Sequence, residues 1–154
     1  LQIPSLQGLN LQVKWPNDLY SPQGKWGGIL VESLSVNQAI VGVGINLNTP
    51  PVENADQPIT SLHRLGLHQI ERLNLIAELY TAIQQAAQWF EHGSYNLAER
   101  FNHHAIWLNQ QVEFEHAQGK LQGRFQGISN DGAVIIKTDQ AQQFYQGRLR
   151  LAEI

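Results

Sequence analysis

Two short segments near the start of the chain carry residues whose types and spacing could support chemistry on an anionic substrate. They are Lys14-Trp15-Pro16-Asn17-Asp18 and Lys25-Trp26-Gly27-Gly28-Ile29-Leu30. A lysine beside glycines can hold a carboxylate or a phosphate, because glycines let a ligand approach the backbone closely. The side chains of Asn17 and Asp18 offer the oxygen atoms that Mg²⁺ accepts, often together with water and substrate phosphates. For Asp18 the alternative is a turn residue that bonds its own backbone.

A third segment, Gly42-Val43-Gly44-Ile45-Asn46, again combines glycines with a polar side chain. If its strand pairs with the strand that follows Lys25, the two segments form one wall of a slot. The alternative is that these glycines serve tight packing or a β-bulge. Neither a G-x-G-x-x-G nor a G-x-x-x-x-G-K-[ST] pattern is present, so the sequence does not support a Rossmann or P-loop nucleotide site.

Hydrophobic patterning predicts the elements that position these segments. Alternating or continuous apolar runs predict strands at Leu11–Trp15, Ile29–Ser35 and Ala39–Ile45. Turn residues predict breaks at 16–18 and 21–24, and three prolines predict a loop at 48–58 that could act as a functional lid. Apolar residues spaced three and four apart predict helices at Glu71–Phe90, with one apolar stripe, and at Tyr95–His104.

The last part of the chain changes to short strands and tight turns. Strands are predicted at Val112–His116, Leu121–Ile128, Ala133–Thr138 and Phe144–Leu151. The Asn-Asp-Gly sequence at 130–132 is a strong hairpin signal. About four short strands in such a stretch indicate a small barrel.

Composition excludes several classes of protein. The chain has 154 residues, a net charge of -3, no Cys and no Met. The missing Cys excludes disulfides, thiolate metal sites and a Cys nucleophile, and the acidic balance argues against a generic nucleic-acid binder. No apolar run reaches the roughly 20 residues of a membrane span. The missing Met leads us to expect a chain that has been processed, trimmed or only partly given.

Charged residues are scarce at the start of the chain. Residues 1–52 contain four of them, Lys14, Asp18, Lys25 and Glu32. We therefore expect this region to be largely buried or to lie against a partner or ligand. The adjacent His103 and His104 point about 100° apart on a helix, which does not suit a shared metal ion. Trp26 is interpreted as a packing residue that could also line the slot.

The segments KWPND (Lys14–Asp18), KWGGIL (Lys25–Leu30) and GVGIN (Gly42–Asn46), with Glu32, resemble biotin–protein ligases in order, spacing and residue type. The strand-rich end resembles the small SH3-like domain of that family, so the resemblance covers the whole chain. It implies an α+β fold. Residues 1–107 would form part of a mixed, mostly antiparallel sheet with helices, as in class II synthetases, and residues 108–154 a small SH3-like β-barrel.

The resemblance also implies an activity and its residues. The family forms biotinyl-5′-adenylate from biotin and MgATP and transfers biotin to a lysine of a biotin carboxyl carrier protein domain. Lys25 matches the catalytic lysine. The positions that match the biotin site are Lys25, Gly28, Ile29, Gly42 and Gly44. The positions that match the ATP site are Lys14, Asn17, Asp18, Ile45 and Asn46, with Asp18 and Asn17 as the magnesium ligands. For Lys14 the alternative is a solvated lysine at a strand end.

Two departures from the family pattern affect these expectations. No Gly-Arg-Gly-Arg loop precedes Lys14, so we expect a partial enzyme with little ligase activity by itself. The position of the family's terminal arginine falls on Ala152, and Arg148 or Arg150 could replace it from the same strand face. Alternatively, both are solvated edge-strand cations.

Other functions and partners remain open at this point. The alternatives to a biotin ligase are a lipoate-type acyl-protein ligase and a non-catalytic biotin-sensing or repressor module. Exposed sheet edges would make a homodimer plausible. We expect a cytoplasmic protein that does not enter a membrane, and DNA binding only if a further N-terminal domain exists.

Overall fold

The computed structural model describes residues 3–48, 55–93 and 95–152. These residues form two α-helices and nine strands, so the predicted α+β class is confirmed. The chain divides into two compact units, Leu1–Gln12 with Asn17–Gly93 and Val13–Pro16 with Ser94–Ile154. The sequence-based domain boundary after residue 107 stays a prediction. Residues 49–54 of the predicted lid loop, and the opening residues 1–2, lie outside the described residues.

The first part of the chain is an antiparallel meander followed by a long helix. Its elements are a 3-10 helix at Pro4–Leu6, β1 (Gln12–Lys14), β2 (Asp18–Ser21), β3 (Gly24–Ser35), β4 (Gln38–Ile45) and α1 (Arg72–Glu91). β2 pairs with β3 and β3 pairs with β4. Strand β2 is absent from the sequence-based elements, because the turn residues before it masked a strand of four residues. Its Leu19 and Tyr20 are buried in this unit.

Much of the β3–β4 hairpin and of α1 is exposed in the described structure. Residues 30–42 are exposed throughout, and Val36 at the hairpin turn is 98% exposed. Leu75 is the buried residue of α1, whereas Phe90 of the predicted apolar stripe is 74% exposed. Of the two alternatives expected for residues 1–52, burial within the chain therefore does not hold for this stretch, and contact of these residues with a partner or ligand stays a prediction. A sheet face or helix stripe is buried only where a second layer covers it, and the apolar pattern does not supply that layer.

The length and apolar character of the helices bear on whether the chain could cross a membrane. The longest of them, α1, has 20 residues. Within residues 3–48, 55–93 and 95–152, no helix combines the length and the apolar character that crossing a bilayer requires.

The second unit is built on a five-stranded antiparallel sheet. Its elements are α2 (Leu97–His104), β5 (Gln111–His116), β6 (Gly119–Ile128), β7 (Val134–Lys137), β8 (Ala141–Phe144) and β9 (Arg148–Leu151). The strand order is β8-β7-β6-β5-β9. The predicted Asp-Gly hairpin between β6 and β7 is confirmed. The single predicted strand at Phe144–Leu151 is wrong, because the chain turns at Gly147 with a φ of 151°, close against the Phe114 ring.

The core of this unit includes residues from two distant parts of the chain. Phe114, Phe125 and Ile136 form its centre together with Trp15, whose indole nitrogen donates to the carbonyl of Gly132 at 3.0 Å. Val13 contributes a backbone bridge to the same unit, since its carbonyl accepts a hydrogen bond from the amide of Ile106 at 2.9 Å. The tryptophan of the KWPND segment is therefore a core residue of this unit.

Asn102 connects α2 to the end of β6. Its Oδ1 accepts from the amide of Ile128 at 2.8 Å, and its Nδ2 donates to the carbonyl of Ile128 at 3.3 Å. We expect Asn102→Ala to lower the free energy of unfolding by about 1–3 kcal/mol, because it leaves polar backbone groups of a buried residue without this partner. Urea denaturation followed by far-UV circular dichroism measures the loss.

The matched control for this prediction is Asn130→Ala. The side chain of Asn130 accepts one hydrogen bond, from the amide of Ala98, at an exposed position. Water can replace that bond, so the control should lose less stability than Asn102→Ala. Equal losses for both variants would contradict the role assigned to Asn102.

Candidate active site

Lys25 and Asp18 form an ion pair at one end of an open cleft in the first unit. Lys25 lies at the start of β3 and Asp18 at the start of β2, and the register of the two strands brings them together. The Nζ atom of Lys25 lies 2.6 Å from Oδ1 of Asp18. The side chain of Lys25 is 32% exposed and that of Asp18 is 13% exposed. The Lys25 side chain is therefore partly exposed, and it lines the cleft in which an anionic ligand could lie.

Glycines form much of the cleft beside this pair. Gly28 on β3 lies opposite Gly44 on β4. A Cβ added to Gly28 would lie 3.6 Å from Nζ of Lys25, whereas a Cβ at Gly44 would meet no atom within 4 Å. The cleft encloses about 430 Å³ and is lined by Asn17, Asp18, Lys25, Gly28, Ile29, Leu30, Gly42, Val43 and Gly44. That volume lies within the usual range for small-molecule sites, roughly 300–1,000 Å³.

The backbone of Lys25 is held on one side by residues 57–60, which we call the 57–60 segment. The amide of Lys25 donates to the carbonyl of Pro58 at 2.8 Å, and the carbonyl of Lys25 accepts from the amide of Thr60 at 2.9 Å. Gly24 allows this close approach, since a Cβ there would lie 2.5 Å from the Pro58 oxygen. The start of β3 is therefore fixed independently of any ligand.

The side chains behind this strand are packed and do not face the cleft. Trp26 is 1% exposed, and its indole nitrogen donates to the carbonyl of Tyr20 at 2.7 Å. Burial, with smaller effects of the Asp18 and Asp56 carboxylates, raises the pKa of Tyr20 above its usual value. The phenol is therefore neutral at physiological pH. Trp26 is a packing residue, as interpreted from the sequence. It is not among the residues that line the cleft, so the further suggestion that it lines the slot does not hold.

The structure brings together most of the predicted site residues. Seven of them line the cleft: Asn17, Asp18, Lys25, Gly28, Ile29, Gly42 and Gly44. Ile45 and Asn46 do not, and the side-chain amide of Asn46 instead donates to the carbonyl of Thr60 at 3.2 Å. Lys14 belongs to the other unit, where its ammonium lies 5.7 Å from the centre of the Trp107 ring. The functional roles of all these residues stay predictions.

Sequence reasoning missed Gln57. Its Nε2 donates to Oδ2 of Asp18 at 3.1 Å, so this carboxylate bonds Lys25 through one oxygen and Gln57 through the other. Gln57 is 39 positions away from Asp18 and lies in a polar, proline-containing stretch. No motif marked it, and only the three-dimensional contact reveals it.

Binding of a divalent cation in the cleft would depend on its oxygen ligands. Asp18 supplies the acidic side chain among the lining residues, and Mg²⁺ prefers such oxygen ligands with waters and substrate phosphates completing its shell. Within the described parts of the chain, no group of three or more His, Cys, Asp or Glu residues could hold a metal ion. The donor set therefore fits a cation that is shared with a phosphate substrate better than a resident metal centre.

Comparison with known proteins identifies the family. A model described as the biotin/lipoate A/B protein ligase family matches residues 1–46, and one described as the biotin protein ligase C terminal domain matches residues 107–150. The two matched segments together make up more than half of the chain. The chain belongs to the biotin protein ligase family.

Individual relatives are consistent with this assignment. The bifunctional ligase/repressor BirA of Escherichia coli (strain K12) is 30% identical over 136 residues, which are 84% of this chain and 42% of the relative. The biotin--[acetyl-CoA-carboxylase] ligase of Paracoccus denitrificans is 30% identical over 138 residues, which are 82% of this chain and 57% of the relative. This member of the biotin protein ligase family thus spans about half the length of these two curated relatives.

The solved structures confirm the fold. The biotin protein ligase from Aquifex aeolicus in complex with biotin and ATP aligns with a TM-score of 0.79 and 24% identity, over 92% of this chain and 62% of that chain. The implied arrangement of a sheet with helices followed by a small strand-rich domain is therefore that of biotin protein ligases. In the described residues of this family member the second sheet is a single five-stranded array, with β8 and β9 at its edges.

Proposed function

We propose that this chain is the part of a biotin–protein ligase that binds biotin and ATP and activates the biotin carboxylate as an adenylate. The observation that carries the proposal is the Lys25–Asp18 pair at the end of a glycine-lined cleft. Membership of the biotin protein ligase family, together with relatives that are named ligases, supports it. The similar A. aeolicus structure contains biotin and ATP.

The proposed chemistry joins two anions. An oxygen of the biotin carboxylate attacks the α-phosphorus of ATP, the bond from that phosphorus to the bridging oxygen breaks, and pyrophosphate leaves. Charge repulsion opposes the approach, and a fixed cation beside the reacting groups offsets it. Lys25 holds such a cation at the cleft, in the position that the family resemblance assigns to the catalytic lysine.

The remaining residues of the cleft would bind and orient the substrates. Gly28, Ile29, Gly42 and Gly44 would lie along biotin, since a wall with few side chains lets a flat bicyclic ligand contact the backbone. Asn17 and Asp18 would face the phosphates, and Mg²⁺ held there would neutralise phosphate charge. Lys14, Ile45 and Asn46 stay predicted ATP-site residues.

We further propose that the adenylate passes biotin to the lysine of a biotin carboxyl carrier protein domain. The lysine amine attacks the acyl carbon, an amide bond forms, and AMP leaves with the electrons of the acyl–oxygen bond. No Gly-Arg-Gly-Arg loop is found before Lys14, so little ligase activity is expected of these 154 residues by themselves.

A cytoplasmic location and a homodimer also stay predictions.

The test is an adenylation assay with the complete gene product that contains this chain. With biotin and MgATP we expect release of pyrophosphate and a biotinyl-adenylate detectable by mass spectrometry. Addition of a carrier domain should give a biotinylated lysine, detected with streptavidin. Lipoate is assayed in parallel, and calorimetry measures the affinity for each acid.

The outcomes separate the alternatives that the sequence left open. Adenylation of lipoate without adenylation of biotin would establish the lipoate-type ligase instead. Biotin binding without adenylate formation would favour a non-catalytic biotin-sensing module. A protein that neither binds biotin nor adenylates it would contradict the proposal.

A further inference from the structure

The side chain of Gln57, in the 57–60 segment, contacts the Lys25–Asp18 pair. Its amide nitrogen donates to Oδ2 of Asp18 at 3.1 Å, on the carboxylate oxygen opposite the one that contacts Lys25. A carboxylate held at both oxygens by separate donors cannot rotate without losing one of these bonds. The Gln57 contact therefore fixes the direction in which Asp18 presents Oδ1 to the ammonium.

The position of Gln57 is itself fixed by the backbone. The next residue, Pro58, accepts a hydrogen bond from the amide of Lys25, and Thr60 donates one to the carbonyl of Lys25. Ile59 lies between them in a parallel bridge with Lys25. The 57–60 segment therefore holds the main chain of Lys25 through its backbone and the side chain of Asp18 through Gln57.

We infer that Gln57 is a positioning residue for the adenylation reaction and acts through Asp18 on the ammonium of Lys25. The inference rests on the proposed ligase function. An ammonium that is drawn to a mobile carboxylate spends less time at the place where the carboxylate and phosphate anions react, and small misplacements of a charged group are costly to the rate. A neutral amide suits this task, because it orients Asp18 without competing for the substrate charge.

The first experiment measures adenylation by Gln57→Ala in the complete gene product. We expect kcat to fall about 10- to 100-fold, with KM for biotin changed much less, because the glycine wall of the cleft is untouched. Gln23→Ala is the matched control. Gln23 is an exposed glutamine in the β2–β3 turn whose backbone amide donates to Oγ of Ser21, and it does not line the cleft, so adenylation should be unchanged.

Gln57→Glu supplies a readout that a merely structural role would not produce. At low pH a protonated Glu at position 57 can donate its O–H to Asp18, as the glutamine amide does. As the pH rises this group ionises, and two carboxylates within hydrogen-bond distance repel each other. The ratio of the Gln57→Glu rate to the wild-type rate should therefore fall with rising pH, whereas the ratio for Gln57→Ala should stay flat.

A third measurement tests the contact without using catalysis. Melting temperatures are compared for Gln57→Ala, Asp18→Ala and the double variant. If the two side chains interact, the shift of the double variant should be smaller than the sum of the single shifts. If the variants show this coupling but the wild-type protein makes no adenylate, the proposed function is refuted and the contact between Gln57 and Asp18 is still supported.

Two results would overturn the inference while the ligase function holds. One is adenylation by Gln57→Ala at the wild-type rate. The other is a rate ratio for Gln57→Glu that does not change with pH, since that would show that the charge state of this side chain does not reach Lys25.

Discussion

Replacing Lys25 by alanine should slow formation of the biotinyl adenylate by about 100- to 1,000-fold, the usual cost of losing one group that stabilises developing charge. The ammonium of Lys25 lies at the end of the cleft, 2.6 Å from the Asp18 carboxylate. Without it, the carboxylate of Asp18 faces the cleft with its charge no longer balanced by Lys25. The variant therefore loses an attraction for the reacting anions and gains a repulsion.

The measurement is single-turnover adenylate formation, with melting temperature as the check on folding. The backbone bonds of Lys25 to the 57–60 segment do not need its side chain, so the variant should remain folded. Lys120→Ala is the matched control, because that lysine pairs with Glu113 on the sheet of the other unit. Wild-type rates for Lys25→Ala, in a folded protein, would show that the proposed role is wrong.

Replacing Gly44 by valine should weaken biotin binding by about 10- to 100-fold, since overpacking a fitted site commonly costs 1–3 kcal/mol. A Cβ at Gly44 meets no protein atom within 4 Å, and this residue lines the cleft opposite Gly28. The new side chain would therefore occupy ligand space without displacing other parts of the protein. Calorimetry with biotin measures the effect.

The control for Gly44→Val is Ala39→Val on the same strand. Ala39 is exposed and does not line the cleft, so valine there should leave the biotin affinity unchanged. Unaltered affinity of Gly44→Val would place the biotin site elsewhere. Gly27 would not serve the same purpose, because a Cβ there would lie 2.4 Å from the carbonyl oxygen of Gly44 and would disturb the sheet itself.

The sequence predicted the long elements better than the short ones. Helix α1 and the paired strands β3 and β4 follow extended apolar patterns, and the structure confirms them. Strand β2 was missed because four residues are too few for a periodic signal after Pro16 and Asn17. β8 and β9 were merged because a turn at Gly147 depends on packing against Phe114, which no local pattern encodes.

The candidate site was predictable where its residues belong to strands that are close in sequence. Gly28 and Gly44 lie on the successive strands β3 and β4, whose pairing was predicted. Asp18 lies on β2, which was missed, and only its motif pointed to the site. Exposure was not predictable in the same way. The scarcity of charge in residues 1–52 suggested burial or contact with a partner or ligand, but burial depends on which layer covers a sheet, and that is a property of the tertiary structure.

The contact of Gln57 with Asp18 marks the limit of prediction from sequence. Glutamine is common along this chain, and position 57 carries no feature that separates it from the others. Its importance arises only because the chain returns to pair with Lys25 after more than thirty residues.

The place of Trp15 in the core of the second unit bears on how this protein can be dissected. That unit needs Val13–Pro16 as well as Ser94–Ile154, and β2, β3, β4 and α1 lie between these pieces along the chain. No single cut of the polypeptide releases it intact. An excised C-terminal fragment would leave a gap where the indole ring belongs, and would require those upstream residues to be supplied as a separate peptide or joined by circular permutation.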